Sequence, residues 1–180
     1  VVNAIGMVKQ VIDEENPEDL WRAQEINSEF ALRLNEFSQL SGIKVIQIGT
    51  DCVYSGLKGS YSERDAFDPT DVYGKTKEVG ELALDESMII RTSIIGKESN
   101  SAISLLSWVL SQPTGGVING YINHLWNGVT TMHFSEVVSG VIKSGNFIKG
   151  VTHLVPGDAT SKYELIKIST FYNYFLQIFT

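Results

Sequence analysis

Apolar positions along this chain keep two different rhythms. In VVNAIG (1–6), IKVIQIGTD (43–51) and SMIIRTSIIG (87–96) they run together, with β-branched residues prominent. Short continuous runs of this kind predict strands buried on both faces of a parallel sheet. Between them the spacing becomes helical. ENPEDLWRAQEINSEFALRLNEFSQLSG (15–42) repeats Leu20, Ile26, Phe30, Leu34 and Phe37 at close to a helical period, which predicts an apolar face there. Asn16 is placed to cap that helix, Pro17 suits its first position, Glu18 and Asp19 favour the positive end of its dipole, and Gly42 ends it. DVYGKTKEVGE (71–81) predicts a second helix, after a loop with Gly56, Gly59 and Pro69. Strand, helix, strand, helix, strand predicts an α/β fold with helices covering a parallel sheet.

Beyond Gly96 the rhythm changes. SAISLLSWVLSQ (101–112) predicts a helix, and TGGVINGYINHLWNGVTT (114–131) is Gly/Asn-rich and loop-like. HFSEVVSGVIKSGN (133–146) predicts a helix capped at Ser135 and stopped at Gly145. GVTHLVPGD (150–158) predicts a strand and turn. A last helix opens with Ser161 and Glu164 at capping-box spacing. The expected organisation is a sheet domain over 1–96 and a small mixed lobe over 97–180, with 132–156 returning to the sheet. No repeat or low-complexity segment interrupts it.

Composition narrows the function classes. The chain has 180 residues, a formal net charge of −7 and 43% hydrophobic residues, enough for one sizeable domain with a second lobe. No basic cluster appears, which argues against nucleic acid, and no apolar run approaches the roughly 18 residues of a membrane span. A single cysteine, Cys52, excludes an internal disulfide and a cysteine zinc cage. His124, His133 and His153 lack metal-ligand spacing, so no metal is expected. The cytoplasm is the default compartment. The chain opens without Met inside a strand and ends on FYNYFLQIFT, so it reads as a piece of a longer protein.

Chemistry enters with Tyr73 and Lys77, four residues apart on one helix face. A phenol with a pKa near 10 is a slow acid at neutral pH, and a nearby cation favours its phenolate. A phenol so tuned can protonate a carbonyl oxygen as hydride reaches the carbon. Thr50, at a strand end, can hold the same oxygen, and Lys77 can also reach a ribose hydroxyl. Side chains supply no hydride, so this chemistry demands a nicotinamide cofactor. In parallel sheets ligands lie beyond the carboxyl ends of the strands. Ala4-Ile5-Gly6, Gly49-Thr50-Asp51 and Arg91-Thr92-Ser93 are three such ends.

A strand-end Thr followed by Tyr-x-x-x-Lys resembles the extended short-chain dehydrogenase/reductase superfamily. The ordered set GTDCVYSG, YSERD, DVYGKTKEVGE, IIRTSIIG, WNGVTTMHFSEVVSGVI and SKYELI resembles its RmlD-type, dTDP-4-dehydrorhamnose reductase-like branch along nearly the whole chain. The resemblance implies a partial Rossmann-type doubly wound sheet, lacking its first strands, beside a small mixed substrate-binding lobe. It implies NADP or NAD as cofactor, reduction of a 4-keto nucleotide-deoxysugar for polysaccharide synthesis, and a possible homodimer. Tyr73 would be the catalytic acid, Lys77 its tuner and ribose contact, and Thr50 the carbonyl-side hydroxyl. Ala4, Ile5, Gly6, Thr92 and Ser93 would line the cofactor with Tyr73 and Lys77. Asp51, Cys52, Val53, His124, Trp126 and Asn127 would face the sugar-nucleotide. Asn27 matches a helix asparagine that supports the lysine through water.

Departures from the pattern are informative. Related dehydratases carry Thr-Asp-Glu where this chain has Thr50-Asp51-Cys52, so their elimination glutamate is absent. Reductases of the branch show Tyr at position 52, and Ser at position 49 where this chain has Gly49. No G-x-x-G-x-x-G turn occurs, so the chain alone is expected to bind dinucleotide poorly and not to turn over. The alternatives are a sugar-nucleotide epimerase of the same superfamily and a non-catalytic RmlD-like regulatory or binding subunit.

Overall fold

The computed structural model describes residues 1–98, 103–113 and 115–178, with side chains through Phe171. In chain order it comprises β1 (Val2–Asn3), α1 (Pro17–Gln24), a π-helical turn (Glu25–Glu29), α2 (Phe30–Ser41), β2 (Ile46–Thr50) and α3 (Val72–Leu82). Next come β3 (Met88–Thr92), β4 (Ile94–Ile95), α4 (Leu105–Leu110), β5 (Leu125–Trp126), β6 (Val129–Thr130) and α5 (Thr131–Ser144). The series ends with β7 (Gly150–His153), β8 (Thr160–Ser161) and α6 (Lys162–Ile178). These elements divide into two compact units, Val1–Thr92 with Val138–Leu154, and Ser93–Val137 with Val155–Thr180.

The first unit is built on an all-parallel sheet of order β1-β2-β3-β7. Ile46, Ile89 and Ile90 bury both faces of its central strands, as their unbroken apolar runs require. Ala31, Leu84 and Ile89 form a core cluster, with Val151 packed against it. Thr50 and Thr92 close β2 and β3 in register with each other, so both hydroxyls stand at the carboxyl edge of the sheet.

The long helix after β1 follows its predicted signals at both ends. Asn16 Oδ1 accepts the Glu18 N–H at 3.0 Å, and Gly42 closes α2 with φ at 70°. Its most deeply buried residues are small or polar, while Leu20, Ile26 and Leu34 of the predicted apolar face are half-buried. Ala23, Asn27, Ser28, Ala31, Asn35 and Ser38 are buried, while Phe30 and Phe37 are exposed. The cause is a close helix crossing at Gly80 of α3, where an added Cβ would meet the Asn27 carbonyl oxygen and lie 3.4 Å from Ala31 Cβ. Only small or hydrogen-bonding side chains fit under such an approach.

The second unit holds two short sheets, β4 parallel to β6 and β5 antiparallel to β8. The segment expected as loop thus contains two-residue strands. The Ser135 cap is corrected: α5 begins at Thr131, directly after β6, and Ser135 lies inside it with Oγ donating to the Thr131 carbonyl at 2.8 Å. At α6 the Glu164 N–H donates to Ser161 Oγ at 3.1 Å, as a capping residue should accept it.

Candidate active site

Helix α3 is fixed before its side chains are. Asp71 caps it, Oδ1 accepting the Gly74 N–H at 2.8 Å, and Glu14 Oε1 accepts the Val72 N–H at 3.0 Å. Lys9 Nζ donates to Asp71 Oδ2 at 2.7 Å. On the inner side, the π-helical turn buries the consecutive residues Asn27 and Ser28. Asn27 Nδ2 donates to Met7 O and to Thr76 Oγ1, each at 3.0 Å, and its Oδ1 accepts the Met7 N–H at 2.9 Å. Ser28 Oγ donates to Thr76 O at 2.8 Å. Asn27 therefore ties the segment after β1 to the turn of α3 that holds Tyr73 and Lys77.

At the sheet edge, Thr50 Oγ1 accepts the Cys52 N–H at 3.2 Å and lies 3.4 Å from Asp51 Oδ1. Burial pushes the Tyr73 phenol up to about 12, while the nearby Thr50 hydroxyl pulls the other way. The phenol therefore holds its proton throughout the neutral range. Lys77 is buried, and its Nζ donates to the Ile48 carbonyl at 3.0 Å. Burial lowers its pKa and the Glu81 carboxylate raises it. Desolvation also raises Asp51, and with the Asp51 charge drives the Cys52 thiol up to about 11. Thr50, Tyr73 and Lys77 thus converge on the end of β2, in a setting that favours neutral acids.

The remaining candidates spread over the two units. Ala4, Ile5 and Gly6 follow β1, exposed. Val53 is fully buried, its carbonyl accepting the Asp68 N–H at 3.2 Å. Thr92 ends β3 in the first unit. Ser93, His124, Trp126 and Asn127 belong to the second unit. There Trp126 Nε1 donates to Ser93 Oγ at 2.8 Å, the His124 carbonyl accepts the Lys162 N–H at 2.9 Å, and Asn127 is exposed.

Sequence reasoning missed a buried ionic cluster. Arg91 Nε donates to Glu81 Oε2 at 2.6 Å and its Nη1 to Tyr54 Oη at 2.5 Å. Its guanidinium lies 4.6 Å from the Phe67 ring centroid. Tyr54 Oη sits 3.5 Å from His153 Nε2, and Glu63 Oε1 accepts the His153 N–H at 2.9 Å. The available signal was the arginine inside MIIRT, since a charge in an otherwise apolar strand needs a partner. The buried Asn3 Nδ2 donation to Gln47 Oε1 at 2.7 Å, across β1 and β2, was missed as well.

No group of three potential metal-ligating side chains occurs among the described residues, and no helix among them is long and apolar enough to cross a membrane.

Comparison with known proteins agrees with this architecture. Residues 1–170 match the RmlD substrate binding domain. The dTDP-4-dehydrorhamnose reductase of Salmonella typhimurium is 29% identical over 171 residues, 91% of this chain and 56% of that protein. The spore coat polysaccharide biosynthesis protein SpsK of Bacillus subtilis is 30% identical over 131 residues, 68% of this chain and 44% of that protein. Among solved structures, the Bacillus anthracis dTDP-4-dehydrorhamnose reductase in complex with NADP superposes with a TM-score of 0.80 at 22% identity, covering 95% of this chain and 60% of that one. This chain spans about half the length of the curated relatives it matches. With a match running from its first strand into its last helix, the chain belongs to the RmlD substrate binding domain family.

Proposed function

We propose that this chain carries the proton-donating side of a nicotinamide-dependent reductase acting on a 4-keto nucleotide-deoxysugar. The observation that carries the reading is the half-buried, protonated Tyr73 phenol beside the Thr50 hydroxyl at the carboxyl edge of a parallel sheet. Relatives named as dTDP-4-dehydrorhamnose reductases support the substrate class, and a neighbour's complex with NADP supports the cofactor.

The residues fit such a cofactor. Ala4, Ile5 and Gly6 are small or apolar and exposed where β1 ends, and the Lys77 ammonium stands one helical turn from the phenol. A bound nicotinamide dinucleotide supplies the hydride. The chain's own part is to manage the oxygen. Thr50 donates a hydrogen bond to the carbonyl oxygen and orients it. As that oxygen becomes an alkoxide, Tyr73 Oη gives it a proton. An alkoxide is a far stronger base than a phenolate, so even a phenol near 12 transfers its proton downhill. The phenolate left behind lies one helical turn from the Lys77 ammonium, whose positive charge favours it. Asp51 and Cys52, in the turn after β2, are assigned to the sugar-nucleotide.

The test is NADPH consumption with dTDP-4-dehydrorhamnose by the protein of the whole reading frame that contains this chain. Tyr73→Phe should lower turnover by about 100-fold or more, the usual worth of a positioned proton donor. Unchanged turnover refutes the assignment.

A further inference from the structure

The buried face of α3 carries a third ionisable side chain at the same four-residue interval as Tyr73 and Lys77. Glu81 is 5% exposed, Lys77 6% and Arg91 3%. Glu81 Oε2 accepts from Arg91 Nε, while Oε1 has no hydrogen-bond partner. A buried ion pair is a poor device for stability, because desolvation offsets its attraction. Its position is more telling than its strength.

Lys77 and Glu81 end on consecutive residues of β2. Lys77 Nζ donates to the Ile48 carbonyl at 3.0 Å. Glu81 Oε1 lies over Gly49, where an added Cβ would come 2.8 Å from it and 2.9 Å from Arg91 Cγ. Gly49 is also the residue of β2 registered against Arg91 of β3. A missing side chain therefore opens the slot in which the carboxylate meets Arg91, one residue along β2 from the carbonyl that holds the lysine.

We propose that Glu81 is a positioning residue for the Tyr73 reaction, its carboxylate seated over Gly49 by Arg91 as the counter-charge that keeps the buried Lys77 ammonium charged. The proposal rests on the roles given above to Tyr73 and Lys77. The elements packed on α3 offer few competitors. The π-helical turn presents Asn27 and Ser28, uncharged and engaged with Thr76. The end of β2 and the turn after it present Thr50, Asp51 and Cys52, of which Asp51 and Cys52 act on Tyr73. On β3 the charge is Arg91, held by Glu81 and Tyr54. Asp71, at the start of α3, is paired with Lys9. Against desolvation, the charge that raises Lys77 is Glu81.

The test reads protonation directly, in the full chain labelled with 13Cε-lysine, the Lys77 resonance being identified by its loss in Lys77→Arg. Glu81→Gln should lower the Lys77 titration midpoint by about one pH unit or more, the effect of removing an adjacent opposite charge. An unmoved or raised midpoint overturns the proposal. Should Glu81→Gln not fold, the wild-type chain still decides: the Glu81 13Cδ resonance must be that of a carboxylate at pH 7, and a neutral carboxyl there overturns it. Neither readout depends on turnover. A Tyr73→Phe variant that loses activity beside an indifferent Lys77 would remove this proposal and leave the reductase reading standing.

Discussion

Gly80→Ala is the sharpest probe of how α3 is seated. In an exposed helix interior this change stabilises by about 1 kcal/mol, because alanine loses less backbone freedom on folding. At Gly80 the new methyl would overlap the Asn27 carbonyl oxygen, lie 3.2 Å from the carbonyl carbon and 3.4 Å from Ala31 Cβ. The obstructing atoms are backbone and cannot rotate aside. Asn27 is further pinned by its bonds to Met7 and Thr76. Overpacking costs about 1–3 kcal/mol, and a backbone collision belongs at the top of that range. The gain from propensity is then outweighed, and a net loss of about 2 kcal/mol is expected. Gly140, in the same unit, is the control: it sits in α5 with nothing within 4 Å of an added Cβ. Gly140→Ala should therefore stabilise by about 1 kcal/mol. With a urea slope of roughly 2 kcal/mol/M, the Gly80→Ala midpoint should fall by about 1 M and the Gly140→Ala midpoint rise by about 0.5 M. A Gly80→Ala chain as stable as wild type would refute the close crossing, and with it the explanation of why the small face of the long helix is the buried one.

Two further outcomes concern the site. The Cys52 thiol, pushed up to about 11 from 9.0, should react with a disulfide reagent at pH 8 about a hundredfold more slowly than an unperturbed cysteine, in a thiol-exchange time course. The Tyr73 phenol is raised to about 12, so its stabilising share is fully present below the unfolded value near 10 and is lost as pH climbs through 12; Tyr73→Phe should flatten the fall in unfolding midpoint between pH 10 and 12.

What could be read from the chain was local. The strand runs, the Asn16 and Ser161 caps and the Tyr73–Lys77 helix depend on residues a few positions apart, and the structure has them where spacing placed them. The buried face of the long helix depends instead on Gly80, some fifty residues on, because a close crossing rewards small side chains over large ones. The start of α5 moved because β6 delivers the chain straight into the helix and makes a cap at Ser135 unnecessary. Arg91 and Glu81 were visible as charges but not as partners. They lie ten residues apart on a strand and a helix, and only the gap above Gly49 brings them together. The spacing of Tyr73 and Lys77 suggested that the lysine tunes the phenol. In the structure the Thr50 hydroxyl also favours the phenolate, and Lys77 Nζ bonds the Ile48 carbonyl.

The parallel sheet has a consequence for how the site comes into being. Val2 pairs with Ile46, Ile46 with Met88, and Met88 with Gly150, so every pairing in this four-stranded sheet joins residues more than forty positions apart. Each closure costs chain entropy before its contacts repay it, which makes such a topology slow to assemble. Helices α2 and α3 can form early, since their bonds are local, and the Tyr73 and Lys77 side chains then share a face with nothing to face. The edge where Thr50 meets Thr92 exists only once β2 and β3 have zipped. The proposed site is therefore a late product of folding, assembled by distant contacts.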